Sequence, residues 1–164
     1  MDKPVFLLFL LCMFFLQSCA QINKAIVKST GYFFIPTPGT IAVNDKGEPL
    51  PGKRDSVFLL FVEIKADNIQ WESAWKDGRS FILTATKVKA KVTIGQTKAR
   101  NQKVEVLPPS PNTLWQLTLS DDEKRSLAPQ ITTPDEILLK GRIKNENVFV
   151  RVRPLIELTS PLYQ

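Results

Sequence analysis

The chain has 164 residues, with 22 Lys and Arg against 16 Asp and Glu, a formal net charge of +6, and 43% hydrophobic residues. It holds two cysteines and no histidine, which excludes Cys/His zinc sites, histidine acid-base chemistry and Ser-His-Asp triads. The size suits one domain that buries its own core without staples.

The first element in the chain is an address. Lys3 and the α-amino group precede an unbroken apolar run from Val5 to Leu16, and small Ser18 follows. This is the pattern of an export signal. The run is too short for a permanent transmembrane helix, which needs ~20 apolar residues. Its ending, Leu16-Gln17-Ser18-Cys19, resembles the lipobox of bacterial lipoproteins. The resemblance covers only the first nineteen residues and implies cleavage after Ser18, a diacylglycerol on the Cys19 sulfur and an acyl chain on its new amino group. With each buried methylene contributing ~0.8 kcal/mol, such chains hold a protein on a membrane without a spanning helix. With Ala20 after the cysteine and no Asp or Glu from residue 20 to 30, the same resemblance implies the periplasmic side of a Gram-negative outer membrane.

Removing 18 residues from 164 leaves 146. On that resemblance Cys12 leaves with the signal and Cys19 carries lipid, so no disulfide is expected despite an oxidising compartment. Asp2 and Lys3 leave together, and the +6 balance persists. Spread along the chain, it reads as solubility; nucleic acid is not an expected partner of an exported lipoprotein. Expected boundaries are 1–18 for the signal peptide, 19–30 for the lipidated N-terminus and tether, and 31–164 for a single domain.

The domain reads as strands and turns. Tyr32-Phe33-Phe34-Ile35 is a strand ended by Pro36 and Pro38. Thr37 to Ser56, rich in Pro, Gly and Asn-Asp, is an unusually long connection. Val57 to Ile64 is an apolar run of strand length, expected to be central and buried on both faces. Ile69 to Trp75 alternates, placing Trp71 and Trp75 on one face as core or as a shelf for a stacked ligand. Lys76-Asp77-Gly78-Arg79 signals a tight turn. From Ile82 to Ile94 a period of two predicts one half-buried strand, with Ile82, Thr84 and Thr86 inward and Lys87, Lys89 and Lys91 guarding an edge.

Val104 to Leu107 and Leu114 to Leu119 are further strands. Ser120-Asp121-Asp122-Glu123 has the form of a capping box and predicts one short helix through Leu127. Ile137–Ile143 and Val148–Arg153 form a hairpin across Lys144-Asn145-Glu146-Asn147. On its outer face Arg142, Phe149, Arg151 and Arg153 make the best candidate contact surface, because Arg and aromatic residues are favoured at interfaces. Pro154 interrupts the ladder, and Leu155 to Leu158 finishes the sheet.

These elements predict an all-β fold, an antiparallel β-sandwich of immunoglobulin-like or transthyretin-like kind with one short helix, ahead of a small barrel. No catalytic, phosphate-binding or dinucleotide motif occurs, and neither a metal nor a cofactor is expected beyond the lipid on Cys19. The expected function is a non-enzymatic binding or assembly component of an envelope complex. In organisation the chain is similar to the small lipoprotein subunits of secretion machines, the type VI membrane complex among them. The alternatives are a glycan-, lipid- or peptide-binding module and a hydrolase working through paired carboxylates.

Overall fold

The computed structural model describes residues 25–36, 46, 56–65, 68–122, 126–130 and 132–160. Cys19, Ser18 and the lipobox lie outside them, as does the Thr37 to Ser56 connection apart from Lys46 and Ser56. The described residues form ten strands: β1 Ile26–Phe34, β2 Val57–Ile64, β3 Gln70–Lys76, β4 Arg79–Lys87, β5 Val92–Gln96, β6 Lys103–Val106, β7 Thr113–Asp121, β8 Ile137–Ile143, β9 Glu146–Val152 and β10 Leu155–Glu157. β1 starts at Ile26, so the end of the expected tether is already part of the sheet.

Eight strands make one sheet in the order β10-β1-β2-β7-β4-β3-β8-β9, and β5 and β6 form a second, small one. Every neighbouring pair is antiparallel except β1 and β10, which run parallel. The large sheet curls until its β9 edge returns to β1, where Ser29 Oγ donates to the Arg151 carbonyl at 3.0 Å. Gly31 makes this approach possible: a Cβ there would stand 2.5 Å from Leu155 Cδ2 and 3.1 Å from Val152 Cγ1. The fold is thus an all-β sandwich, as expected, made mainly by one sheet folded over itself. The hairpin of β5 and β6 is tied to the end of β10 by the Thr97–Leu158 bridge and by the Thr159 amide donating to the Gln96 carbonyl.

The inward row is the apolar one. Leu60, Val62 and Ile64 of β2, Leu117 of β7, Phe81 of β4, Ile137 and Leu139 of β8, and Val148, Val150 and Val152 of β9 form the buried cluster. Each such side chain contributes ~1.5–3 kcal/mol by leaving water. β2 is central, paired on both sides, and also buries Phe61 on its outer face, edge-on to Tyr32 at 6.0 Å. Burial raises the Tyr32 pKa above its ordinary value. Two tight turns fall where the sequence signals them. Asp77 and Gly78 join β3 to β4, and Lys144 and Asn145 join β8 to β9, all four with positive φ. That is the type I′ geometry matched to strand twist.

Two expectations are corrected. No helix follows β7 among the described residues: Ser120 and Asp121 continue the strand, paired with Ile82 and Phe81. A ladder on a neighbouring strand outcompetes the local capping preference of Ser, Asp and Asp. The strand expected from Ile82 to Ile94 is two strands, and its phase is the reverse of that expected. Phe81, Leu83 and Ala85 pack on the core, while Ile82 is 53% exposed. β4 lies between β3 and β7 and so is no edge, and residues 88–91 are irregular before β5 begins. The turn at Asp77-Gly78 sets the register Lys76↔Arg79 and Ala74↔Phe81, and that register decides which residues face inward.

Candidate functional site

At one end of the sandwich the apolar interior opens into a cavity of about 600 Å³. Its floor is Phe33 of β1, Phe58 of β2, Phe81 of β4, Leu119 of β7 and Leu155 of β10. The mouth carries Lys76, Asp77, Arg79, Asp121 and Asp135. Because strand residues alternate faces, the inward row that runs through Ala74 reaches Lys76, the row through Phe81 reaches Arg79, and the row through Leu119 reaches Asp121. Three strands therefore end their inward rows with a charge.

Each cation at the mouth is fixed at least twice. Lys76 Nζ stands 5.9 Å from the centre of the Phe58 ring and donates to Asp77 Oδ2 at 2.6 Å and to the Pro134 carbonyl at 2.7 Å. Arg79 lies 5.5 Å from the Phe81 ring centre and its Nη2 donates to Asp121 Oδ1 at 2.9 Å. Such ring contacts favour a cation by about 0.5–1 kcal/mol at exposed sites. The Thr133 hydroxyl donates to Asp135 at 2.7 Å and holds that carboxyl below its ordinary value, assisted by its own backbone amide and the charges of Arg153 and Lys76.

The expected tryptophan shelf is not assembled. β3 carries a bulge between Trp71 and Ser73, which inserts Glu72 and reverses the alternation. Trp71 consequently packs on the core, whereas Trp75 points to the outer face, 4% exposed, its Nε1 donating to the Ser126 carbonyl at 3.2 Å. Ser126, beyond the end of β7, lies over that outer face. Asp122 and Ser126 are both held by Ser80 Oγ, which donates to Asp122 and accepts from the Ser126 amide, both at 2.9 Å.

The arginine surface is partly brought together. Arg142, Phe149 and Arg151 share the outer face of β8 and β9, while Arg153 lies past the end of β9. The arginines are engaged within the fold. Arg142 pairs with Glu72 at 2.8 Å, beside the Lys140–Glu72 pair at 2.6 Å. Arg151 pairs with Glu136, the one buried acid among the described residues, and reaches Gln130 at 3.2 Å. Phe149 is half-buried.

The cavity itself was not foreseen from the sequence. Its signal, available in hindsight, is that Lys76, Arg79 and Asp121 occupy positions where a period of two calls for apolar residues. Among the described residues no group of three or more Cys, Asp or Glu is gathered as a metal would require, and no helix is long and apolar enough to cross a membrane. No protein-family model, no curated protein and no solved structure matches the chain.

Proposed function

We propose that the mature chain is an outer-membrane lipoprotein, held through Cys19 on the periplasmic side, whose sandwich acts by binding as a non-enzymatic component of an envelope assembly. A secretion machine is the class of assembly whose small lipoproteins it resembles in organisation. The observation that supports this reading is the polarity of the fold. The chain enters β1 from the Cys19 side at Ile26, opposite Ile64, whereas the cavity is lined by Phe33 near the other end of the same strand. At ~3.4 Å per residue the two are roughly 24 Å apart. An anchor at one end would leave the cavity facing away from the membrane.

The experiment has two arms. Cys19→Ala is expected to move the protein from the membrane to the soluble fraction; a variant that stays membrane-bound contradicts the anchor. A pull-down of the tagged, anchored protein from detergent-solubilised envelopes is expected to recover a stable partner in constant ratio. Recovery of the bait alone contradicts the assembly role.

The cavity favours one second reading, a module that binds a ligand in its own right. Its volume lies within the ~300–1,000 Å³ common for ligand pockets.

A further inference from the structure

We propose that the cavity between Phe33, Phe58, Phe81, Leu119 and Leu155 receives an extended, uncharged peptide segment of a partner protein, with an aromatic or branched apolar side chain inserted on the phenylalanine floor. This deepens the binding role proposed above and rests on it. The floor offers three rings and two leucines, so its occupant must bring an apolar body that gains by leaving water.

The mouth determines the rest of the ligand. Among the described residues it carries two cations and three carboxylates, with the cations already paired: Lys76 with Asp77 and Arg79 with Asp121. A phosphate or a fatty acid would bring a bare negative charge to a rim with no surplus of positive charge, which costs affinity. A glycan would match the polar rim and leave the apolar floor poorly filled. A peptide backbone supplies both kinds of group without net charge. Its carbonyl can accept from Lys76, whose ammonium has three donors and places two, on Asp77 and Pro134. Its amides can donate to carboxylate oxygens of Asp77, Asp121 and Asp135, since each carboxylate accepts several bonds. The Lys76 side chain is only 14% exposed, and a donor so sheltered is worth more to a ligand that reaches it than the same donor in open water.

The fixed geometry of the mouth suits recognition with little ordering on binding. Phe58 and Asp77 hold Lys76, and Phe81 and Asp121 hold Arg79, before any ligand arrives.

The test uses the full lipidated chain in phospholipid nanodiscs, labelled with fluorophenylalanine and followed by fluorine NMR. N-acetyl-Leu-Phe-Leu-amide, palmitate and chitotriose serve as probes. The peptide is expected to shift the resonances of Phe33, Phe58 and Phe81 saturably and leave that of Phe149, on the outer face, in place. Lys76→Met and Leu119→Trp are each expected to weaken this binding at least tenfold with the thermal unfolding midpoint little changed. If Leu119→Trp does not fold, Lys76→Met alone carries the comparison. Shifts of the three cavity resonances by palmitate or chitotriose and not by the peptide overturn the proposal, as does the absence of any shift at millimolar peptide. Failure of the anchor is seen separately, as continued membrane retention of Cys19→Ala.

Discussion

At the scale of single residues, two paired acids set what the outer face contributes. Glu136 is 1% exposed and accepts from the Arg151 guanidinium and, at 3.0 Å, from the Thr133 amide. Arg151→Ala strands a buried carboxylate and is expected to cost about 3 kcal/mol, read as a shift of the urea unfolding midpoint. Glu136→Gln keeps the shape and loses the charge, and is expected to cost less. Glu72 gives a pH signature. The hydrogen bond from Lys140, with the charges of Lys140 and Arg142, holds its carboxyl below the ordinary value of 4.5. A carboxyl whose pKa is lower folded than unfolded contributes stability above its unfolded value and loses it as pH falls through the folded one. Glu72→Gln is therefore expected to lower the melting midpoint at pH 7 and to match the parent at pH 2. The gap is small, since partly exposed pairs contribute ~0–1 kcal/mol. A gap that persists unchanged at pH 2 assigns the loss to packing instead of charge.

At the scale of elements, register decides which residues matter. Phe81 and Ile82 are neighbours of similar hydrophobicity, yet Phe81→Ala is expected to cost about 3–5 kcal/mol and Ile82→Thr to stay within about 0.5 kcal/mol. Equal losses in denaturant titrations of the two variants would contradict the phase of β4. This pair also shows what was legible in the sequence. The strand of Val57 to Ile64, both tight turns and the closing hairpin could all be read, because local patterns of apolar residues and of Asp-Gly or Lys-Asn fix them. The phase of β4 could not, since Ile82-Thr84-Thr86 and Phe81-Leu83-Ala85 are both plausible inward rows and the choice is made by pairing with β3. The Trp71 and Trp75 shelf failed for a related reason: the bulge at Glu72 is a feature of pairing with β8 and has no local signature. The helix after β7 was misread because Ser120 and Asp121 have a partner strand, β4, that lies more than thirty residues away in the chain.

At the scale of the whole molecule, the fold separates its ends. The strand that leads back to Cys19 enters at Ile26, and the inward rows of β3, β4 and β7 open at the other end on charged residues. Nothing in the sequence placed those charges together, because Lys76 and Arg79 come from one turn and Asp121 from a strand that reaches them only through the β4–β7 pairing. On the arginine face of β8 and β9, Arg142 and Arg151 are held by Glu72 and Glu136. Under the proposed role, the cavity end is the place for a partner. The direct measurement is photo-crosslinking in living cells, with a benzoylphenylalanine placed at Ser56, which lines the cavity, or at exposed Ile82 on the outer face. The proposed role predicts a discrete adduct with one envelope protein from position 56, none from position 82, and loss of the adduct when Cys19→Ala frees the chain from the membrane. An adduct from position 82 alone, or none from either position, would contradict it.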